Sequence, residues 1–235
     1  MNILITGANR GIGLALTRTF LKRGDTVFAG TRRPEKTPAL ADLQSEFPDS
    51  LRTVQLDVVD PVSVGNCPAT LAKSVRELDV LINNAGVLLE GFTVGFDDLK
   101  ADHFDSTFSV NVTGVARVTQ AMLPFLRRSK TARIVNISSG TGSISDKRDH
   151  RYYIYGASKA ALNHLTVGLA HELRPEKIIV TAISPGWVRT DMGGSNADLS
   201  AEESAEAMAE TITNLTMKDS GTFMGRSGPS KDYVW

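Results

Sequence analysis

The fold of this chain is decided by residues 2–13, which read Asn2-Ile3-Leu4-Ile5-Thr6-Gly7-Ala8-Asn9-Arg10-Gly11-Ile12-Gly13. The first residues form a short apolar run, long enough for a buried strand, and glycines follow it. Apolar residues then recur at Ile12, Ala15, Leu16 and Phe20, the spacing of one helix face. A strand, a glycine-rich turn and a helix in this order favour dinucleotide binding, because glycine lets the backbone approach a pyrophosphate and the helix N-terminus attracts its charge.

The glycine spacing by itself is a weaker signal than this context. Gly7-x-x-x-Gly11-x-Gly13 is one residue longer than the G-x-G-x-x-G fingerprint, and either pattern also occurs in ordinary turns. The strand before the turn and the helix after it favour the nucleotide. The candidate cofactor contacts in this loop are Gly7, Asn9, Arg10, Gly11, Ile12 and Gly13.

Strand-like and helix-like segments alternate along the whole chain. Strands are predicted near 2–6, 26–30, 52–57, 78–83, 132–138, 178–184 and 221–225, and helices near 12–23, 61–76, 102–128, 155–174 and 201–215; the 37–46 stretch fits a helix too. This alternation predicts one α/β domain, 1–235, with a doubly wound parallel sheet and helices on both faces. Gly24 should end the first helix, Ser200 and Glu203 should form a capping box, and Pro124 should kink or end its helix.

Composition narrows the class of protein. Among 235 residues, 41% are hydrophobic and 22% charged, and 26 basic residues balance 26 acidic ones, so no overall field favours nucleic acid or an anionic membrane. The single cysteine, Cys67, excludes an internal disulfide and fits a reducing compartment. No apolar run approaches the ~18–20 residues of a membrane span, and a strand beginning at residue 2 leaves no room for a signal peptide. A cytoplasmic enzyme is therefore expected, and no metal site.

Polar and glycine residues follow the ends of the predicted strands. In an open α/β sheet, ligands bind beyond the carboxyl ends of the strands. The residues at these places are Gly7, Arg32, Asp57, Asn83, Ser139 and Pro185. Their shared position predicts that they lie along one edge of the sheet, around one ligand.

Tyr155-Gly156-Ala157-Ser158-Lys159 places a phenol and an ammonium four residues apart. On a helix these side chains lie on one face, where the cation would stabilise a phenolate. A free Tyr ionises near pH ~10, too high for useful proton transfer at neutrality. A lone Tyr-x-x-x-Lys is usually a solvated helix face, so the other motifs must support a catalytic role.

Together with Asn83-Asn84-Ala85-Gly86, Asn111, Ser138-Ser139 and Pro185-Gly186, these elements resemble the short-chain dehydrogenase/reductase family in its classical form, from Ile3 to about Gly225. Residues 143–146, 158–163 and 185–194 look most like its carbonyl-reductase branch, which includes Sniffer and the C-factor proteins. The resemblance implies a Rossmann-type sheet. It also implies that a loop near 187–200 covers substrate and cofactor.

The resemblance implies four catalytic residues. Tyr155 would be the general acid in carbonyl reduction and the general base in alcohol oxidation, and Lys159 would lower its pKa and bond the nicotinamide ribose. Ser139 would hydrogen-bond the substrate carbonyl, and Asn111 would hold a water that links Lys159 to solvent. Sequence alone leaves Ser138 and Ser139 open, whereas the family alignment points to Ser139. Hydride addition to C=O builds charge on oxygen, which donors of this kind stabilise.

NADP(H) is the expected cofactor. Dinucleotide folds that bind NAD commonly place an acid at the end of the second strand, but here that strand ends in Thr31-Arg32-Arg33 and Arg10 lies in the glycine loop. Arginines bind a 2′-phosphate that a carboxylate would repel. Arg10 and Arg32 are the expected contacts. The alternative is a solvated turn, and whether Arg33 takes part stays open.

Other cofactor contacts are implied by the same resemblance. Asp57-Val58 would meet the adenine, although Asp57 could simply end a strand. Asn83, Ala85 and Gly86 would let backbone pack against the cofactor, while Asn side chains satisfy the turn. The last expected contacts are Pro185, Gly186, Val188 and Thr190, with Thr190 on the carboxamide. Trp187 and Met192 fit either a hydrophobic substrate or the core.

The sequence thus predicts an NADPH-dependent oxidoreductase that reduces an aldehyde or ketone, with no nucleic-acid or membrane partner. The alternatives are a 3-oxoacyl carrier-protein reductase and a dinucleotide-binding signalling protein of C-factor type; the intact catalytic set argues against the second. A homodimer through the helices at 102–128 and 155–174 is expected from the resemblance. Six apolar residues on the first of these helices exceed one sheet-facing stripe: Val110, Val115, Val118, Ala121, Met122 and Phe125.

Overall fold

The computed structural model describes residues 1–91, 94–147, 151–229 and 233–235. Strands and helices alternate there, as predicted. The elements are β1 Asn2–Thr6, α1 Gly11–Lys22, β2 Thr26–Thr31, α2 Pro38–Glu46, β3 Leu51–Gln55, α3 Pro61–Leu71, β4 Val80–Asn83, α4 Ala101–Phe108, α5 Val115–Leu126, β5 Arg133–Ile137, α6 Tyr153–Leu173, β6 Ile179–Ser184, α7 Ala201–Asn214 and β7 Phe223–Gly225. Part of the charged loop before α6, including His150, lies outside the described residues.

The strands form one parallel sheet in the order β3-β2-β1-β4-β5-β6-β7. The chain runs outward from β1 to β3 and then returns to place β4 beside β1, where Ile3 pairs with Val80. This reversal leaves a crevice beyond the carboxyl ends of β1 and β4, which is where such sheets bind ligands. The predicted doubly wound, Rossmann-type sheet is confirmed.

Two apolar layers sandwich the sheet, because successive strand residues point to opposite faces. Ile3 and Ile5 join a cluster with α1, α2 and α7, whereas Leu4 joins the cluster formed with α3, α5 and α6. All three side chains are fully buried. A strand covered on both faces needs a continuous apolar run, which explains the N-terminal signal.

The segment predicted as one helix over 102–128 is divided in the structure. Helix α4 ends at Phe108, one π-helical stretch covers Ser109–Gly114, and α5 follows. The wider turn carries Asn111, whose side chain bonds the backbone of Val87. Hydrophobic periodicity cannot reveal such a local insertion, since the helix resumes with its apolar face inward. Pro124 lies two residues before the end of α5, in agreement with the predicted early end.

The residues predicted to end the first helix and to cap the last one take those positions in the structure. Gly24 follows α1 with φ +85°, and Ser200 and Glu203 form the capping box of α7.

Burial raises the pKa of the Cys67 thiol to about 12, so this free cysteine is a core residue with little thiolate. Within the residues described, none of the helices combines the length and apolarity needed to cross a membrane.

The apolar residues on α5 pack inside the chain. Val115, Val118, Met122 and Phe125 are each at most 5% exposed, and three of them belong to the cluster between the sheet and α3, α5 and α6. The other two residues, Val110 and Ala121, are half-buried and pack against the same cluster. Most of the apolar surface that suggested a dimer is therefore used inside the chain, and the prediction of a dimer depends mainly on the resemblance.

Candidate active site

Ser139 and Tyr155 meet at the end of β5. Ser139 begins the short turn Gly140–Gly142, where its hydroxyl oxygen accepts hydrogen bonds from the Thr141 amide at 3.2 Å and the Thr141 hydroxyl at 3.0 Å. Its own proton is then free to be donated. A side-chain hydrogen bond joins Ser139 to the Tyr155 phenol, which extends from the first turn of α6. Two hydroxyls therefore lie side by side in the crevice.

Burial raises the pKa of the Tyr155 phenol to about 12, whereas the hydrogen bond from Ser139 lowers it and Tyr152 raises it further. The rings of Tyr152 and Tyr155 lie 6.3 Å apart, edge to face. We expected Lys159 to lower this pKa, but the group that lowers it here is Ser139, and the net change is a rise. The phenol consequently keeps its proton at neutral pH.

Lys159 is buried beneath the phenol. Its side chain is 4% exposed, and its ammonium donates to the Ile137 oxygen at 2.8 Å and lies 5.5 Å from the centre of the Tyr155 ring. Burial lowers the pKa of Lys159 to about 8. The predicted i, i+4 pair on one helix face is thus present, but the ammonium bonds a strand-end carbonyl rather than the phenolic oxygen.

Asn111 reaches the same place from the π-helical stretch. It is fully buried; its Oδ1 accepts from the Val87 amide at 2.9 Å, and its Nδ2 donates to Val87 O and to the Ser158 hydroxyl, both at 3.0 Å. A Cβ built on Gly86 would lie 3.5 Å from Asn111 Oδ1 and 3.7 Å from Lys159 Nζ. The two polar groups therefore lie on the same side of Gly86, where a Cβ would only touch them.

The two adjacent serines face opposite ways. Ser138 is 1% exposed, and its hydroxyl donates to Asn163 Oδ1 at 2.6 Å in the interior. Ser139 is half-buried and lies against Tyr155. Alternation along an extended segment explains the difference.

The glycine loop forms a closely packed cradle. Gly7 has φ +64°, and a Cβ there would lie 2.9 Å from the Ala85 Cα; a Cβ on Gly13 would lie 2.3 Å from the Gly7 oxygen. Gly11 has φ +52°. Between these glycines, Asn9 is half-buried and Ile12 packs against the core. Only glycine fits such approaches, so the backbone itself forms this wall of the crevice.

The first turn of α1 has no side-chain acceptor among the described residues. Its N-cap residue is Arg10, in extended conformation and without a capping bond, and no acid lies in the first turn. Helix N-terminal amides left this way, next to a glycine turn, suit an anion such as a pyrophosphate.

Arg32 and Arg33 follow β2, and both side chains are exposed. Neither side chain makes a hydrogen bond or an ion pair with any of the described residues. Arg10 behaves differently: its guanidinium contacts Asp191 Oδ2 at 2.6 Å, and both side chains are mostly exposed. The Arg33 backbone oxygen accepts from the Thr37 hydroxyl, which gives that residue a part in the turn.

The Asn83–Gly86 turn is fastened to the end of β1. The Asn84 side chain donates to the Thr6 and Gly7 oxygens at 2.9 and 3.1 Å, and the Thr6 hydroxyl accepts from the amides of Asn84 and Ala85. This agrees with the expectation that the turn is held by its asparagines. Asn83 instead points inward, where its Nδ2 donates to Asn136 at 2.9 Å, so its side chain does not face the crevice.

Asp57 and Val58 lie past the end of β3. The Asp57 carboxylate accepts from the Val59 amide at 3.2 Å, a turn contact, while Val58 is 7% exposed and packs in the core. Both lie at the expected edge of the sheet, and only the partly exposed Asp57 side chain faces solvent.

The segment after β6 folds against the glycine loop. Gly186 has φ +82°, Val188 is buried and bridges to Leu199, and the Pro185 oxygen accepts from Ser204 at the start of α7. The Thr190 methyl lies 3.2 Å from a Cβ built on Gly11. The segment therefore lies against the glycine loop, and its role in covering substrate and cofactor stays a prediction.

Trp187 and Met192 lie in this covering segment. They are 47% and 44% exposed, which excludes a core role for both and leaves them available at the rim of the crevice.

Sequence inspection missed two acidic residues around the site. Glu90 is 8% exposed and accepts hydrogen bonds from the amides of Ile154 and Tyr155. Asp191 pairs with Arg10. Glu90 lies in no motif. Asp191 lies in the 185–194 stretch that carries part of the resemblance, but nothing in that stretch predicts its pairing with Arg10. Among the described residues, no cluster of His, Cys, Asp and Glu is suited to a metal ion.

Comparisons with known proteins agree with this architecture. The model of the family described as short chain dehydrogenase matches residues 1–213. The fold superposes on the NADPH-bound carbonyl reductase from chicken fatty liver with a TM-score of 0.92 at 34% identity, covering 100% of this chain and 98% of that one. It superposes on the carbonyl reductase Sniffer of D. melanogaster with a TM-score of 0.94 at 30% identity, covering 100% of this chain and 99% of that one.

A curated relative supports the same branch. C-signal of Myxococcus xanthus is 40% identical over 151 residues, which cover 64% of this chain and 90% of that protein. With the family model matching most of the sequence and the structural likeness extending over all of it, the chain belongs to the short-chain dehydrogenase family of oxidoreductases.

Proposed function

We propose that this protein is an NADPH-dependent carbonyl reductase that converts an aldehyde or ketone to an alcohol. The observation that carries the proposal is the pair of adjacent hydroxyls, Ser139 and Tyr155, in the crevice above the buried ammonium of Lys159. NADPH, when bound, supplies the hydride. The chain's own residues bind the carbonyl oxygen and give it a proton.

The proton donor in this proposal is Tyr155. With a pKa of about 12 the phenol is protonated at neutral pH, which is the form that an acid needs. The developing alkoxide is far more basic than a phenolate and comparable with hydroxide. Proton transfer from Tyr155 is therefore favourable, whereas alcohol oxidation would first require this phenol to ionise. The raised pKa of Tyr155 therefore favours reduction.

Ser139 orients the substrate in the proposed reaction. Its oxygen is occupied by Thr141, so its proton is directed to the Tyr155 oxygen in this structure and to a carbonyl oxygen placed between them. A donor aimed at an oxygen that gains charge stabilises the transition state more than the ground state.

Lys159 and Asn111 would return a proton to Tyr155 after each turnover. Lys159, with a pKa of about 8, can lose and regain a proton near neutrality. After its bond from Val87, Asn111 Oδ1 keeps one acceptor site on the side of Gly86 that also faces Lys159. We place there the water that links Lys159 to solvent.

NADP(H) fits the residues of the crevice better than NAD(H). The glycine cradle and the first turn of α1 would hold the pyrophosphate, and the exposed guanidinium of Arg32 would bind the 2′-phosphate bidentately. Arg10 is paired with Asp191, but an exposed ion pair of this kind is weak enough to exchange for a phosphate. Asp57, Pro185, Gly186, Val188 and Thr190 stay the proposed contacts for adenine and nicotinamide.

The test is NADPH oxidation measured with a panel of aldehydes, diketones, quinones and acyl thioesters. We expect turnover with simple carbonyls. Ser139→Ala should lose most of it, whereas Ser138→Ala should keep it, provided that its lost bond to Asn163 does not unfold the protein. Absence of turnover with every carbonyl, or loss at position 138 with normal activity at 139, would contradict the proposal.

We also propose a homodimer through the helices at 102–128 and 155–174, which are α4, α5 and α6 in the structure. Its support is the resemblance of the sequence to a family whose members often pair through these helices. Light scattering that gives the 25.3 kDa of one chain at micromolar concentration would contradict it.

A further inference from the structure

We propose that Glu90 is a positioning residue for the proton donor: its buried carboxylate holds the first turn of α6, and thereby Tyr155, in register with Ser139. Glu90 is 8% exposed and lies in the segment after β4. Its Oε1 accepts from the Tyr155 amide at 2.5 Å, and its Oε2 accepts from the Ile154 amide at 3.1 Å. The inference rests on the proposed role of Tyr155.

Among the described residues, helix α6 has no local side-chain cap. Its N-cap residue is Tyr152, in a left-handed conformation at φ 56° and without a side-chain cap bond, and the first turn contains no acid. The amides at the second and third helical positions would otherwise lack acceptors, and the positive end of the helix dipole favours an anion. Glu90 supplies both acceptors from 65 residues away in the sequence.

The same segment fixes the rest of the catalytic set. Val87, three residues before Glu90, bonds the Asn111 side chain through both its amide and its oxygen. Asn111 in turn donates to Ser158, one helical turn along from Ile154. Glu90 and Val87 therefore set the position of α6 relative to the π-helical stretch. A shift of about 1 Å in such an arrangement costs as much as a hundredfold in rate.

Replacement of the carboxylate tests this role. In Glu90→Gln the side-chain NH₂ would face a peptide N–H, so one amide loses its acceptor while shape is kept. We expect kcat to fall at least tenfold and the Kd for NADPH to stay within twofold, because the glycine cradle lies on other elements and Lys159, on α6, keeps its own bond to the Ile137 oxygen. The solvent deuterium isotope effect on kcat should increase, since a displaced phenol slows proton transfer.

Asp60→Ala is the matched control. Asp60 caps α3 in the same pattern, accepting from the amides of Val62 and Ser63 at 3.0 and 3.2 Å, with no contact to the catalytic set among the described residues. This variant should melt at a lower temperature but keep kcat within twofold and the wild-type isotope effect. Glu90→Asp keeps the charge with a shorter reach, so its kcat should lie between those of Gln and wild type.

Three outcomes would overturn the inference: a Glu90→Gln enzyme with kcat within twofold of wild type, an unchanged isotope effect, or a loss of NADPH affinity as large as the loss of kcat. If the Gln variant does not fold, Glu90→Asp decides by the same three criteria. The proposed function fails separately, if Tyr155→Phe keeps its turnover. If Tyr155→Phe loses turnover while the Glu90 variants keep wild-type kcat, only the positioning role of Glu90 is contradicted.

Discussion

The N-termini of α1 and α6 face the same crevice with opposite solutions to one backbone problem. In the described part of the chain, neither helix has a local side-chain cap or an acid in its first turn. At α1 these amides lie beside a glycine cradle and exposed arginines, with no side-chain acceptor in the described chain. At α6 a buried carboxylate from another segment, Glu90, satisfies them.

This difference separates binding from chemistry. An open helix N-terminus is useful where a phosphate is to bind, because the ligand itself provides the acceptor. A helix that carries a catalytic phenol must instead be held in one place before the substrate arrives. Helices α3 and α7, by contrast, have ordinary local caps, Asp60 and the Ser200–Glu203 box, at ends that carry no catalytic residue.

The largest expected effect is at the α6 end. Tyr155→Phe keeps the ring and its contact with Tyr152 but removes the proton donor, so kcat should fall by about 10²–10⁴-fold. NADPH binding, which depends on the α1 end, should change less than about twofold. Stopped-flow turnover and fluorescence titration measure the two effects. A variant that kept a tenth of wild-type turnover would show that Tyr155 is not the essential acid.

The next effect is at the α1 end. Arg32→Asp exchanges a charge-assisted bond for repulsion, which should weaken NADPH binding by about a hundredfold and leave NADH affinity near its wild-type value. Isothermal titration with both cofactors measures the change. Arg33→Asp is the neighbouring control, with a smaller expected loss. Equal affinity of the wild-type protein for NADPH and NADH would remove the basis for an arginine–phosphate contact.

The third prediction concerns how kcat/KM for NADPH depends on pH, because Lys159 lies on α6 and is proposed to bind the cofactor held at the α1 end. Its pKa is lowered to about 8 by burial, so the ammonium loses its proton as pH rises through that value. If the ribose needs the cation, kcat/KM for NADPH should be constant below pH ~8 and about tenfold lower at pH 9. Lys159→Met should be low and flat over the range. A wild-type profile level to pH 9.5 would contradict this role.

The smallest effect concerns the pair that covers the α1 end. Asp191→Asn frees Arg10 for the 2′-phosphate and should tighten NADPH binding by about two- to threefold at low salt, since exposed pairs are weak. The gain should disappear at high salt, where such charges are screened. NADH, without the phosphate, is the control ligand. Weaker NADPH binding in the variant would mean that the pair holds the covering segment closed.

Much of the site was predictable because its signals are local. The Gly7–Gly13 loop and the Tyr155/Lys159 pair depend on turn conformation and helical spacing, and both are present as predicted. The pKa of Tyr155 was not predictable in the same way. It depends on how deeply the phenol is buried and on which donor reaches it, and Ser139 rather than Lys159 is that donor.

The sequence by itself determined the parallel α/β sheet and the sheet edge at which most of the candidate residues lie, because strand and helix periods are properties of consecutive residues. Tertiary structure alone decided which acids complete the site. Glu90 meets Tyr155 across 65 residues, and Asp191 meets Arg10 across 181. Contacts at such separations follow from the packing of whole elements, which no local pattern in the chain encodes.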